Sequence, residues 1–204
     1  MMGPLISLFV GSYLLGSIPF GVLVAKSRGI DIMSVGSGNI GATNVVRVLG
    51  KGPGYLVFFL DMLKGLIPAL VARWLFPANQ EYWFFAGMFA VIGHSLSPFL
   101  KFKGGKGIST ALGMTVGSSP VVALIALGIF LAILFGSGYV SLASIFAVIS
   151  TTPMSFLLRD SLWVTIGFAV LSVFVIYRHK ANIVRLRNGT ESKFIKRKKS
   201  DGES

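Results

Sequence analysis

The sequence predicts an all-α integral membrane protein: seven membrane helices, the N-terminus outside, the C-terminus cytoplasmic, and glycine-rich cytoplasmic loops forming the site. Three observations predict it. The chain of 204 residues is 53% hydrophobic and only 13% charged, about half the charge of a soluble domain, and its mean hydropathy is +0.78. Apolar runs of about 20 residues recur, long enough to cross about 30 Å of hydrocarbon. Lys and Arg gather in alternate connections, the bias that orients a membrane protein.

Helix one runs from Pro4 to Val24, where Gly11, Gly16, Ser17 and Pro19 permit close packing and a kink. No basic stretch precedes it, so it reads as a first span and not as a cleaved signal. Helix two runs from Gly54 to Phe76 and carries Asp61 and Lys64 three apart, expected as a paired structural charge. Helix three runs from Tyr82 to Leu100, with Tyr82 and Trp83 as interfacial anchors and a structural His94 near its inner end. Gly107 to Gly117 is short and need not span fully, which would leave a cavity or a thinned wall beside loop 101–107. After Ser118-Ser119-Pro120 an apolar run extends to Phe135, followed by helices from Tyr139 to Leu158 and from Leu162 to Tyr177. The chain divides into a membrane domain, 1–178, and a basic cytoplasmic tail, 179–204.

One helix from Gly107 to Phe135 would be about 43 Å long, and charge decides against it. Loop 25–51 holds Lys26, Arg28, Arg47 and Lys51; loop 101–107 holds Lys101, Lys103 and Lys106; the tail from Arg178 holds nine more Lys and Arg. A turn at Ser118-Ser119-Pro120 puts these sixteen on one side, with only Arg73 and Arg159 opposite.

GSGNIG, at 36–41, matches the dinucleotide-binding G-x-G-x-x-G pattern, but no strand or soluble βαβ unit surrounds it. There is no cysteine, and His94 and His179 lack metal-ligand spacing; neither metal nor cofactor is expected. The formal charge of +12 borders membrane segments, so it reads as orientation and contact with anionic membrane lipid, KRKK at 196–199 included, and not as nucleic-acid binding.

Three Gly/Ser/basic segments share the cytoplasmic face: GSGNIGATNVVR, FKGGKGIST and FGSGYVSLAS, with YRHKANIVR after the last helix. Loop amides and helix N-termini bind anions. Arg47 and Lys106 add charge, and Asn39, Thr43, Asn44, Ser109 and Asn182 add donors, so the sum is a phosphate site. Each part also has a plainer use. GGKG fails the Walker A pattern and can be a turn; Asn39, Thr43 and Asn44 can cap a helix or close turns; Ser137, Ser141 and Ser144 can bond their own backbone. Convergence on one face lifts the group above its members.

At GSIPFG (16–21), GSGNIGATNVVR, GHSLSPFLKFKGGKGISTALG (93–113) and HKANIVRLRNGTE (179–191), the sequence resembles the bacterial membrane acyl-phosphate:glycerol-3-phosphate acyltransferase family over nearly the whole chain. The resemblance implies a multi-pass enzyme of the bacterial inner membrane with a cytoplasmic active site. It implies transfer of a fatty acyl group from acyl phosphate to the 1-hydroxyl of glycerol 3-phosphate, giving lysophosphatidic acid and phosphate in phospholipid synthesis. The partner position for the His-x4-Asp motif of the other acyltransferase class, counted from His94, is Phe99.

Acyl phosphate is a mixed anhydride and already activated, so direct attack by the glycerol hydroxyl is expected, without a covalent acyl-enzyme. Lys106, His179 and Ser144 are the catalytic candidates. Ser37, Asn39, Thr43, Asn44, Arg47, Gly104, Gly105 and Asn182 are the substrate-binding candidates, with the loop amides holding phosphate. The base is either His179 or an oxygen of a bound phosphate. The expected state is a monomer. The rival readings are a small anion or phosphate transporter, using the same loops as a gate, and a lipid-binding scaffold without turnover.

Overall fold

The computed structural model describes residues 2–195, and every regular element among them is helical. KRKK at 196–199 lies outside the described residues. The first apolar run is broken: α1 (Met2–Ser17) and α2 (Phe20–Lys26) meet at Ile18-Pro19. Proline lacks an N–H and its ring clashes with the carbonyl one turn back. The carbonyls thus freed find side-chain donors. Ser97 Oγ donates to the Ser17 carbonyl at 2.7 Å, and Lys64 Nζ to that of Ile18 at 2.8 Å.

Loop 25–51 contains a helix of its own, α3 (Ala42–Leu49), which begins after an extended Gly41. It packs on α4 (Lys51–Leu75), whose buried residues Val57, Asp61, Lys64, Gly65, Pro68 and Ala72 recur at three- and four-residue steps. α5 (Gln80–Ser95) follows, then a 3-10 turn at Pro98–Leu100. α6 (Ile108–Ser118) has 11 residues, about 16 Å of helix, half of a bilayer. α7 (Pro120–Ser137), α8 (Val140–Leu157) and α9 (Leu162–Arg178) complete the bundle, and α10 (Lys180–Arg187) leaves α9 at 59°.

Five segments are long and apolar enough to cross a membrane: Met2–Lys26, α4, Gln80–Leu100, α7 and α8; the bent α9–α10 pair makes a sixth. The sequence predicts seven membrane helices, the fourth of them short enough not to span fully. The turn at Ser118-Ser119-Pro120 exists, but α6 is too short to be a span by length.

The half-length helix is held by backbone contact. A Cβ on Gly65 of α4 would lie 2.0 Å from the Thr110 carbonyl oxygen, and one on Gly113 of α6 would lie 1.9 Å from that of Met62. Only glycine lets these two helices approach so closely. Phe84, Met114, Phe168, Leu171 and Val175 form the main core behind them. Large apolar side chains such as Phe59, Trp74, Leu124 and Val173 face outward, as a lipid-contacting belt requires.

At the end of the bundle where α6 meets α7, one carboxylate ties two turns together. Asp160 Oδ1 accepts from Gln80 Nε2 at 2.8 Å and Asp160 Oδ2 from Ser119 Oγ at 2.9 Å. Ser119 is buried in this knot.

Candidate active site

At the opposite end a cavity of about 650 Å³ opens between α3, α4, α6, α7, α8 and the segment that follows α9. Its wall is mixed. Ser37, Asn39, Thr43, Asn44, Arg47, Asp61, His94, Lys106, Ser109, Ser141, Ser144, His179, Asn182, Arg185 and Glu191 are polar or charged, and Tyr55, Phe58, Phe59, Phe130, Leu134 and Phe194 are aromatic or aliphatic. A smaller apolar cavity of about 120 Å³ shares Phe58, Ile108, Phe130 and Ser144 with it and extends among Ala111, Ala123, Ala126 and Leu127.

The first loop is organised from within. Asn44 is almost fully buried. Its Oδ1 accepts the Ser37 N–H at 2.8 Å, and its Nδ2 donates to the carbonyls of Ile32 and Val35. Asn44 thus shapes the loop with groups that the sequence assigned to substrate. Asn39 Oδ1 accepts the Gly41 N–H at 2.9 Å, an Asx turn feeding the start of α3. Ser37, Thr43 and Arg47 are then carried into the cavity wall.

The expectation for Gly104 and Gly105 needs correction too. Their amides face away from the cavity: Gly104 donates to the Ser95 carbonyl and Gly105 to that of His94, both at 3.1 Å. Arg178 Nη2 donates back to the carbonyls of Gly104 and Gly105 at 2.7 and 2.9 Å. The glycines fix the loop; Lys106, the next residue, reaches the cavity. There Lys106 Nζ donates to Asn182 Oδ1. Burial pushes its pKa down from 10.5 to about 8, with Glu191 opposing and Arg185, Arg47 and Arg178 assisting.

Glu191 is the residue that sequence reasoning missed. Its Oε1 accepts from Asn182 Nδ2 and Ser141 Oγ, and its Oε2 from Arg185 Nε, all at 2.7 Å. Burial alone would raise its pKa, but these hydrogen bonds hold it below the usual carboxylate range. A signal existed: Glu191 is the only acidic residue between Arg178 and Ser200. It joins α8, α10 and the chain beyond into one wall, so residues 179–191 build the cavity alongside the bundle.

His179 caps the junction of α9 and α10 and is buried. Its Nδ1 lies 2.8 Å from the Val175 carbonyl, which can only accept, so the proton sits on Nδ1 and Nε2 is left as acceptor. Burial first, then the Lys106 charge, push its pKa down to about 4. Ser144 Oγ donates to the Val140 carbonyl at 2.8 Å, leaving its lone pairs toward the cavity that it lines. Arg47, Lys106 and Arg185 outnumber the two lining carboxylates, Asp61 and Glu191, and leave the cavity net positive, suited to an anion.

The profile of a family described as glycerol-3-phosphate acyltransferase matches residues 6–189. A glycerol-3-phosphate acyltransferase of Aquifex aeolicus is 48% identical, covering 92% of this chain and 97% of that protein. One of Geotalea daltonii is also 48% identical, with 93% and 97% covered. Among solved structures, the chain resembles PlsY (YgiH), an integral membrane glycerol 3-phosphate acyltransferase, in its glycerol 3-phosphate form. The TM-score is 0.91 at 47% identity, with 95% of this chain and 96% of that one covered. For the lysophosphatidic acid form the TM-score is 0.87 at 46% identity, with 94% and 95% covered.

Proposed function

This chain belongs to the glycerol-3-phosphate acyltransferase family, and from that premise we propose that it moves a fatty acyl group from acyl phosphate to the 1-hydroxyl of glycerol 3-phosphate. The observation that carries the reading is the mixed lining of the cavity. Its basic residues suit the phosphates of both substrates, and its apolar residues, of which Phe58, Ile108 and Phe130 also wall the smaller apolar cavity, suit an acyl chain. The hydroxyl oxygen attacks the acyl carbonyl carbon, the bond from that carbon to phosphate oxygen breaks, and phosphate leaves with the electron pair. Lys106 and Arg47 hold the phosphates and offset the charge that develops on the carbonyl oxygen and the leaving group. Asn182 fixes Lys106, and Ser37, Thr43 and Ser144 orient the substrates.

The hydroxyl proton goes to an oxygen of a bound phosphate. A phosphate monoester has its second pKa near 6 in water, so near pH 7 its dianion offers a basic oxygen to the attacking hydroxyl. His179 Nε2 is better suited to accept a hydrogen bond from the glycerol hydroxyls and orient them.

The test is the purified protein in detergent with acyl phosphate and glycerol 3-phosphate. Lysophosphatidic acid and inorganic phosphate are expected in equal amounts, and enzyme quenched with labelled acyl phosphate alone should carry no acyl group. Product from acyl-CoA but not from acyl phosphate would overturn the donor assignment, and no product from either would favour a transporter or scaffold.

Arg47→Lys should raise KM for glycerol 3-phosphate at least tenfold, because a point charge does not copy a bidentate guanidinium. Unchanged kinetics would make Arg47 an orientation charge only.

The pH profile follows from Lys106. If its ammonium holds phosphate, kcat/KM should be level near pH 7 and fall as pH rises through about 8, with no inflection from His179 until about pH 4. Stability has the opposite sign. Between about 8 and 10.5 the unfolded chain binds more protons than the folded one, so the Lys106 contribution to stability rises with pH. A kcat/KM limb at pH 10 would refute the assignment.

The basic-residue split supports an inner-membrane enzyme with α6 as a partial seventh helix and the cavity facing the cytoplasm. Ala78 is exposed in the turn before α5, and the chain has no cysteine. Ala78→Cys should therefore react with an impermeant thiol reagent in intact cells. Reaction only after permeabilisation would invert the orientation.

A further inference from the structure

Three ionisable side chains inside the bundle have been given no part in that chemistry, although Asp61 and His94 also contribute to the cavity wall. Asp61, Lys64 and His94 are 2, 1 and 4% exposed. Asp61 Oδ1 lies 2.9 Å from Lys64 Nζ and 3.6 Å from His94 Nδ1. Burying such groups in a span costs several kcal/mol per ion unless geometry compensates, and apolar residues of similar volume would avoid that cost. Lys64 is accounted for, because it also satisfies the Ile18 carbonyl at the break in the first span.

The other two point to the catalytic loop. The His94 ring lies against the backbone of Gly105; a Cβ there would meet His94 Nε2 at 2.0 Å. The His94 and Ser95 carbonyls accept the amides of Gly105 and Gly104. Arg178 grips the carbonyls of the same two residues from α9. The peptide carrying Lys106 is thus clamped between the end of α5 and the end of α9, and Asp61 is the group beside the ring that forms one jaw.

We propose that Asp61 and His94 are positioning residues for Lys106: Asp61 orients the buried imidazole, and the imidazole sets the height of the Gly104-Gly105 peptide and so the place of the Lys106 ammonium. The inference rests on Lys106 acting as the phosphate-holding charge. It assigns to a buried ion cluster, whose Asp61 and His94 reach the cavity wall, a use exerted through the loop and not by contact with substrate.

The experiment is a double-mutant cycle. His94→Phe keeps a ring of similar size, and Asp61→Asn keeps the carboxylate's shape; each is made in the native chain and in Lys106→Ala. kcat, KM and amide exchange over residues 103–107 are read. In the native chain either change should lower kcat by about 100-fold, the cost of a displacement near 1 Å, with KM little changed and exchange at Gly104 and Gly105 faster. In Lys106→Ala the same change should cost about twofold or less, since the residue being positioned is gone. Equal losses in both backgrounds, or native kcat and exchange in Asp61→Asn, would overturn the proposal. If His94→Phe does not accumulate, Asp61→Asn decides alone. Native turnover in Lys106→Ala itself would remove the electrostatic reading of Lys106, and exchange at Gly104 and Gly105 would still report whether the clamp exists.

Discussion

Lys106→Ala is expected to lower turnover by about 10² to 10³, the usual effect of removing one preorganised contact to developing charge. The ammonium is partly buried among Arg47, Arg178 and Arg185, a setting that pushes its pKa to about 8. The protein therefore bears an electrostatic cost to keep a fourth cation there. Removing it should relieve that cost, so the variant should melt in detergent no lower than the native protein at pH 7. Lost turnover with retained stability marks a functional charge; parallel losses would make Lys106 a structural strut. Lys106→Arg should remain well below native, because a guanidinium does not fit the single acceptor offered by Asn182. Turnover and melting temperature on the same preparations check both statements.

The second large effect is Gly104→Ala. A Cβ at Gly104 would lie 2.0 Å from the His94 carbonyl oxygen and 2.9 Å from the carbonyl carbon of Ser95. Both are backbone atoms at the end of α5, which cannot move aside without bending the helix. The methyl group must instead lift the loop, breaking the hydrogen bonds from the Gly104 and Gly105 amides to α5 and carrying Lys106 with it. A displacement of about 1 Å corresponds to about 100-fold in rate, and the overpacking costs about 1–3 kcal/mol of stability. Gly52→Ala, where nothing lies within 4 Å, is the control and should be neutral. An active Gly104→Ala would show that the loop is not rigidly seated.

Much of this was legible in the sequence. Length and hydropathy located the long helices because a bilayer imposes both. Pro19 marked the first break and Ser118-Ser119-Pro120 the turn into α7, since proline removes a donor wherever it falls. The cavity-lining residues Ser37, Arg47, Lys106, His179 and Asn182 came from loops that charge placed on one face. α3 and α10, of 8 residues each, were not drawn as elements, since helices so short depend on packing and not on propensity. Nor was the direction of the Gly104 and Gly105 amides. A Gly-Gly-Lys string suggests amides offered to an anion; whether they turn to a ligand or to a neighbouring helix depends on what α5 brings alongside. Glu191 was missed for a related reason. Its lone negative charge in a basic stretch marked it out, but the partners that give it a role meet only after α8 and α10 have been brought together.

The knot at Asp160 has a consequence for biogenesis. A chain emerges from the ribosome N-terminus first, so Gln80 and Ser119 are made well before the carboxylate that joins them. Until α8 has been threaded and the turn after it formed, the hairpins that Gln80 and Ser119 occupy are held at that end by the longer bonds, both 3.3 Å, from Gln80 Nε2 to the Ser118 carbonyl and to Ser119 Oγ. Asp160 therefore works as a late latch: its shorter bonds, at 2.8 and 2.9 Å, tighten an existing contact when the penultimate turn arrives. Chains released before residue 160 should hold this spacing less firmly than those released after it.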